Sequence, residues 1–211
     1  MSGDHDGLLA GSNLVSFASD VAPELRQDII ECLRYANICA DALYSSRQNW
    51  RAWLSTYQQS MASAGAASFM SLPDQRLKLY SFRDIRRLKV PAVPNAQQLI
   101  QLYSRSVEKL LDSEHAQLFF GSWFSSGRSE SFQVVPCAMQ DEKEAVILMC
   151  GLEMTTMALR PGFFFWQIIG GEMQVRAVCM AFRFSRDRYE PFRKVVQETL
   201  VANAARQVMY L

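Results

Sequence analysis

The sequence predicts an α+β fold in which N-terminal helices pack on a mostly antiparallel C-terminal β-sheet and a final helix follows the sheet. Apolar residues recur at intervals of three and four in the first half of the chain, which is typical of helices with one buried face. After Leu118, β-branched and aromatic residues become dense, and turn residues such as Pro161-Gly162 separate short apolar runs. Helical spacing returns near the C-terminus.

The 211 residues are predicted to form one domain, 1–211. It divides into an N-terminal segment (1–19), a mainly helical part (20–117) and a part that contains the sheet and the final helix (118–211). Hydrophobic residues make up 49% of the chain, which is enough for a sizeable core. The formal net charge is +1, so no global field attracts nucleic acid or an anionic membrane.

The first predicted helix runs from Pro23 to Tyr44. Proline suits the first turn, where its missing N–H costs nothing, and Glu24 faces the positive end of the helix dipole. A coiled-coil seam is the alternative interpretation, but the apolar stripe lasts only about three heptads. The stripe predicts a core-facing helix and consists of Leu25, Ile29, Cys32, Ala36, Cys39 and Leu43.

A second predicted helix follows Asn49, a residue type suited to the N-cap, and ends at Gly65. Its two tryptophans are interpreted as core anchors, and an aromatic recognition surface is the alternative. One face of this helix carries Trp50, Trp53, Leu54, Tyr57 and Met61.

Residues 66–94 are predicted to form a solvated connector, because apolar residues interleave with charged ones and anchor it to the core. The alternative is a nucleic-acid surface with Tyr80 and Phe82 available for stacking. That alternative is disfavoured, and we expect no nucleic-acid partner. The basic residues within 76–89 are Arg76, Lys78, Arg83, Arg86, Arg87 and Lys89.

The third predicted helix opens at Asn95 as N-cap, with Gln98 completing a capping box, and extends to about Gln117. His115 lies near its end and is interpreted as an exposed histidine, since no acidic neighbour has the i+4 spacing of a helical metal pair.

Residues 145–152 are apolar on both faces, which predicts a central strand that is covered on both sides. Gly170-Gly171 predicts a tight hairpin. The aromatic run Phe163-Phe164-Phe165-Trp166 is interpreted as a buried strand, and a membrane-inserting loop is the alternative. The predicted strands lie near 118–125, 130–140, 145–157, 163–169 and 173–185.

Asp187 and Glu190 predict a capping box for the last helix, with Pro191 in its first turn. The basic residues around this junction are interpreted as forming solvated ion pairs with these two acids. The predicted inward face consists of Phe192, Val195, Val196, Thr199 and Leu200.

The sequence contains no recognisable catalytic or ligand-binding motif. It has two histidines, no glycine-rich phosphate loop and no His-Glu-x-x-His. A nucleophile–base pair of Cys137 with His115 stays open, whereas Asp141, Glu142 and Glu144 are interpreted as a polar turn. We therefore predict no catalytic, cofactor-binding or metal-binding residue, no cofactor and no enzyme activity.

The five cysteines lack any Cys-x-x-Cys pair and predict free, reduced thiols in a cytoplasmic protein. The N-terminus has no basic and apolar regions of a secretory signal, although non-classical export stays open. The longest apolar run, Ala145 to Cys150, is far shorter than the roughly 20 residues that span a bilayer, so no integral membrane segment is expected.

Several segments together resemble a small family of accessory proteins encoded beside bacterial α-helical pore-forming toxins, such as the accessory pair of the motility-associated killing factor. They are Ser12-Asn13-Leu14-Val15-Ser16-Phe17, the helix that ends near Tyr44, the Trp50-x-x-Trp53-x-x-x-Tyr57 helix and the strand-rich C-terminal half. The resemblance implies a mixed α+β fold, no known enzyme activity and a supporting role toward co-encoded toxin subunits. It assigns no role to any individual residue.

The expected function is therefore that of a non-enzymatic interaction protein that supports expression, folding or export of a co-encoded toxin. Its expected partner is a toxin subunit or a homologous accessory protein. Two alternatives stay open: a toxin component that itself binds membranes through 163–169, and an enzyme with a carboxylate- or cysteine-based site.

Overall fold

The computed structural model describes residues 5–80, 84–85, 88–112, 129–155, 173–203 and 208–210, and these residues form the predicted α+β fold. The strands are β1 His5–Ala10, β2 Asn13–Phe17, β3 Ala67–Ser71, β4 Gln75–Leu79, β5 Ser129–Met139, β6 Glu144–Thr155, β7 Met173–Ser185 and β8 Val208–Tyr210. The helices are α1 Pro23–Leu43, α2 Trp50–Ser63, α3 Ala96–Asp112, α4 Arg186–Tyr189 and α5 Arg193–Ala202, with a 3₁₀ turn at Glu190–Phe192.

The eight strands form one sheet in the order β3-β7-β6-β5-β2-β1-β8, and β4 also pairs with β7. Every pairing is antiparallel except that of β2 with β5, so the sheet is mostly antiparallel, as predicted. Strands β5, β6 and β7 match the predicted strands at 130–140, 145–157 and 173–185. The predicted strands at 118–125 and 163–169, and the Gly170-Gly171 hairpin, lie outside the described residues.

Helices cover both faces of the sheet. Gly151 of β6 faces Leu54 of α2. The preceding residue, Cys150, points to the opposite face of the sheet and lies near Tyr103 of α3. All of residues 145–152 are buried, which confirms the predicted central strand. The α1–α2 hairpin therefore forms one outer layer and α3 forms the other.

Strands β1 to β4 were not predicted from the sequence. The N-terminal segment 1–19 contains the β1–β2 hairpin, which lies inside the sheet; its apolar residues are buried on both faces, so they show no alternation. The connector 66–94 contains β3 and β4, which pair along the outer edge of β7. Their side chains are mostly exposed, so the sequence carries no strong hydrophobic signal for either strand.

The first two helices match the sequence closely. In α1, four of the six predicted stripe residues are buried, while Cys39 is half-buried and Leu43 is exposed at the C-terminal end. In α2, all five predicted face residues are buried, which confirms the tryptophans as core anchors. The side chain of Asn49 makes no capping hydrogen bond.

Two predicted capping boxes are wrong. Asn95 has a φ of 56° and donates its Nδ2 to the carbonyl of Met139. The cap before α4 is Ser185, whose Oγ accepts from the backbone N–H of Arg188.

The inward face of the last helix is narrower than predicted. Val196 and Leu200 are buried, but Phe192 and Val195 are 40% and 57% exposed, because α5 packs mainly against α1. The last described residue of α3 is Asp112, so its predicted end and His115 lie outside the described part of the chain.

Among the glycines that the structure describes, Gly65 is the one at which we expect an added methyl group to cost most. Its φ is +93°, and an added Cβ would lie 2.5 Å from the carbonyl oxygen of Arg188. Because backbone strain and overlap with backbone atoms add, Gly65→Ala is expected to lower the free energy of unfolding by about 2–4 kcal/mol. Urea denaturation measures this loss.

Gly11→Ala is the matched control. Gly11 also has a positive φ, +63°, but an added Cβ would lie 3.7 Å from its nearest neighbour, Asn37 Oδ1. Its loss is expected to be about 1 kcal/mol, from backbone conformation alone. Equal losses at both glycines would contradict the proposed close contact between Gly65 and α4.

Candidate functional site

A polar network ties the α1–α2 hairpin to the sheet. Ser12 Oγ, in the β1–β2 turn, lies 2.7 Å from Asn37 Oδ1 and 2.9 Å from Gln133 Oε1. Asn37 donates its Nδ2 to Asp41 at 2.7 Å, and Trp53 Nε1 donates to the other oxygen of the same carboxylate at 2.7 Å. The network therefore runs from β5 through the turn and α1 to α2.

A second buried contact reinforces this attachment. The hydroxyl of Tyr57 donates to Asn13 Oδ1 at 2.7 Å, and Asn13 Nδ2 donates to the carbonyl of Ala10 at 2.9 Å. Burial raises the pKa of Tyr57, so its hydroxyl stays protonated and remains a donor. The helix layer is thus held by specific hydrogen bonds as well as by apolar packing.

The C-terminal helices are attached to α1 by charged side chains. Asp28 of α1, which is buried, accepts two hydrogen bonds from Arg193 and one from Arg186 at 3.2 Å. Glu31, one turn later, accepts from the hydroxyl of Tyr189 at 2.9 Å. The predicted local pairing of Arg193 with Glu190 is present, but the ion pairs to α1 link segments about 160 residues apart in sequence.

A cleft lies beside the edge strand β4. We call it the basic cleft; its volume is about 560 Å³, and it is lined by Arg76, Leu77, Lys78, Gln174, Val175 and Arg176. In the β4–β7 register, Arg76 lies directly opposite Arg176, and Lys78 lies directly opposite Gln174. These four side chains share one face of the sheet, the face covered by α2.

Arg176 connects the basic cleft to the start of α2. Its NH1 lies 3.2 Å from Glu153 Oε2, and its NH2 lies 3.3 Å from Asp74 Oδ2, which also pairs with Arg51. The Arg176 guanidinium carbon lies 5.9 Å from the ring centre of Trp50. Arg176 Nε and Trp50 Nε1 are buried, and neither has a hydrogen-bond acceptor among the described residues.

The sequence identifies only half of this cleft. Arg76 and Lys78 belong to the predicted basic stretch within 76–89, and their alternate spacing is compatible with a strand. Their partners on β7 follow about 100 residues later, and the register that brings them together depends on long-range pairing.

The candidate nucleophile and the acidic cluster do not form a catalytic centre in the described part of the chain. Cys137 is fully buried, and burial raises the pKa of its thiol, which keeps it protonated. Its candidate base, His115, lies outside the described residues. Asp141 accepts from the backbone N–H groups of Lys143 and Glu144, which lowers the pKa of Asp141 and forms the predicted polar turn.

All five cysteines are free, as predicted. Across the ranges that the structure describes, no group of three or more His, Cys, Asp or Glu side chains is arranged to hold a metal ion. Among those same ranges, no helix combines the length and the apolar character that crossing a membrane requires.

The chain matches no protein-family model and no curated protein. It is similar in fold to a solved delta-endotoxin, with a TM-score of 0.52 and 13% identity over 84% of each chain. It is also similar to the activated Cyt2Ba monomer from Bacillus thuringiensis subsp. israelensis, with a TM-score of 0.52 and 13% identity over 81% of this chain and 96% of that one. The Evf virulence factor gives a TM-score of 0.42 and 13% identity over 92% and 82%.

The comparisons bear on fold, and the first two cover nearly the whole domain. At 13% identity they show the fold alone, and the resemblance to the accessory-protein family stays a prediction. We conclude that this chain has the fold of solved delta-endotoxin structures.

Proposed function

We propose that this chain is itself a toxin component, that it acts on lipid membranes, and that it does so without enzyme activity. The observation that carries the proposal is the shared fold, which extends over 84% of both this chain and the delta-endotoxin.

One end of the molecule has the composition expected of a membrane-contacting surface. Leu43 and Tyr44, where α1 leads toward α2, are 69% and 40% exposed, and Tyr80, which follows β4, is 64% exposed. The basic cleft lies at the same end, since Arg176 lies beside the Trp50 ring at the start of α2. Exposed apolar and aromatic side chains next to basic ones favour the membrane interface.

The chain connectivity adds to this. Strand β6 ends at Thr155 and β7 begins at Met173, and both positions lie at the end that carries the basic cleft. The segment that joins them in sequence contains the run Phe163-Phe164-Phe165-Trp166. That run lies outside the described residues, and its role as the inserting element belongs to the proposal.

Vesicle flotation tests the proposal. The purified chain is mixed with vesicles of phosphatidylcholine alone, or of phosphatidylcholine with phosphatidylglycerol, and is centrifuged through a density gradient. We expect the chain to float with at least one composition. A chain that stays at the bottom of the gradient with both would overturn the proposal.

A pair of matched variants locates the contact. Tyr80→Ser is expected to weaken vesicle binding severalfold, because it removes an exposed aromatic ring from the proposed surface. Phe192→Ser is the control: Phe192 is also exposed, but it directly precedes Arg193, which binds Asp28, about 22 Å along α1 from Leu43. Equal effects of the two variants would contradict this location of the contact.

The accessory role makes the opposite prediction. An accessory protein is expected to stay off vesicles and to co-purify in near-equal amounts with a co-encoded toxin subunit. A pull-down of the tagged chain from its native host, followed by mass spectrometry, measures this directly. A stoichiometric complex together with no flotation would replace the membrane proposal with the accessory one.

A further inference from the structure

We propose that the basic cleft binds the phosphate of an anionic phospholipid headgroup. The inference rests on the proposed membrane function and names the class of lipid that the chain recognises. It is carried by three properties of the cleft: opposed like charges, excess positive charge and buried donors without acceptors.

Two arginines directly oppose each other across β4 and β7. Arg76 and Arg176 are register partners, so their side chains leave the same face of the sheet from adjacent backbone positions. Like charges directly opposite each other destabilise a strand pair. An anion bound between the two guanidinium groups removes this repulsion, and arginine is well suited to binding phosphate through two parallel N–H donors.

The acids near the cleft do not balance its positive charge. Glu153 and Asp74 both bind Arg176, and Asp74 also binds Arg51. Arg76 forms no ion pair with a described residue. With Lys78 left aside, the described charged side chains of the cleft and its rim are three arginines and two carboxylates, which leaves a net charge of +1.

Unused hydrogen-bond donors lie beside these charges. Trp50 is 2% exposed, its Nε1 has no acceptor among the described residues, and its ring neighbours the Arg176 guanidinium. Arg176 Nε is also buried without an acceptor. Because a buried donor without an acceptor is costly, oxygen acceptors entering here gain hydrogen bonds that the protein itself does not make.

The first turn of α2 lies near the cleft, since Trp50 neighbours Arg176. It has no acidic residue, and the side chain of Asn49 makes no capping hydrogen bond. The positive end of the helix dipole therefore adds to the positive potential that Arg76 and Arg176 create.

The size and position of the cleft favour a lipid headgroup. Its volume of about 560 Å³ lies within the range of about 300–1,000 Å³ that is usual for small-molecule sites. The exposed Leu43, Tyr44 and Tyr80 lie at the same end and suit a bilayer surface.

The test compares Arg76→Glu with Lys194→Glu, which makes the same charge change on α5. The wild-type chain is expected to bind mixed phosphatidylcholine–phosphatidylglycerol vesicles more tightly than phosphatidylcholine vesicles. Arg76→Glu is expected to weaken binding to the mixed vesicles about tenfold and binding to phosphatidylcholine vesicles less, so that the preference for the mixed vesicles shrinks. Lys194 is exposed and pairs only at 3.9 Å with Glu198, so its variant is expected to change both affinities less than about twofold.

The outcomes separate this inference from the proposed function. If the wild-type chain binds neither vesicle, the membrane function itself fails. If it binds both equally, or if both variants weaken binding alike, the membrane function stands and the cleft inference is overturned. Titration with glycerol 3-phosphate distinguishes a free phosphate ligand: Arg76-dependent binding of it without any preference for anionic vesicles would also overturn the lipid assignment. Thermal unfolding of each variant verifies that it is folded.

Discussion

Trp53→Ala is expected to lower the free energy of unfolding by about 3–5 kcal/mol, the usual loss when a buried tryptophan is truncated. Trp53 is 1% exposed, and its ring stacks on Tyr57 with the centroids 5.2 Å apart. Its Nε1 also donates to Asp41, so the variant both opens a cavity and removes a donor from the network that holds α2. Denaturant titration followed by circular dichroism measures the loss.

Trp53→Phe separates the two contributions. Phenylalanine keeps an aromatic ring against Tyr57 but cannot donate to Asp41, so a smaller loss of about 1–2 kcal/mol is expected. If Trp53→Ala costs less than about 1 kcal/mol, the α1–α2 layer is not held by this contact.

The protein is expected to lose stability steeply above about pH 9. Burial raises the pKa of Cys32 from its ordinary value of 9.0 to about 12, and burial also raises the pKa of Cys137. In the unfolded chain these thiols lose their protons near pH 9, whereas the folded protein keeps them. The free energy of unfolding therefore has its full value below about pH 9 and falls as the pH rises above that.

The expected slope is large. For each thiol that stays protonated only in the folded state, the free energy of unfolding falls by about 1.4 kcal/mol per pH unit above the pKa of the unfolded chain. Two such thiols double this slope. Burial also raises the pKa of Tyr57 and Tyr103, so both tyrosines add to the loss above their ordinary value of 10.0. Urea midpoints measured from about pH 8 to about pH 11 give the slope directly.

Cys32→Ala isolates one of these groups. The variant has one fewer buried thiol, so its stability is expected to fall with pH less steeply, by about 1.4 kcal/mol per pH unit. Its stability at neutral pH changes only through packing. If the variant and the wild type show the same slope, the buried thiol does not control the alkaline instability.

Local sequence patterns predicted α1, α2 and the central strand well, because each depends on its own periodicity. The stripe that contains Leu25 and Ile29, and the aromatic face of α2, record which side of each helix is buried. Residues 145–152 are apolar on both faces because helices cover both sides of β6. In these elements, burial and local sequence agree.

Elements whose structure depends on distant partners were predicted poorly. Asn95 has the residue type of an N-cap, but its side chain binds the carbonyl of Met139, 44 residues away. The β1–β2 hairpin buries polar as well as apolar side chains. Asn13, for example, is buried because it accepts a hydrogen bond from Tyr57 in α2. No local pattern records such contacts, so the capping and the N-terminal strands were missed.

The same reason limits prediction of the candidate site. Arg76 and Lys78 were recognised as basic, but their chemical setting depends on the β4–β7 register, which places Arg176 opposite Arg76. Trp50 was predicted correctly as a core anchor, yet its unpartnered Nε1 beside this pair becomes visible only in the folded chain. If the β4–β7 pairing shifted by one residue, Arg176 would lie opposite a different residue of β4.

Dye release from sealed vesicles tests the proposed membrane action most directly. The purified chain is added to vesicles of phosphatidylcholine and phosphatidylglycerol that contain a self-quenched dye, and fluorescence is followed over time. A toxin component that acts on membranes is expected to release the dye at a rate that rises with protein concentration, and Arg76→Glu is expected to slow the release. Vesicles that stay sealed at every protein concentration, with a correctly folded chain, would contradict the proposed function.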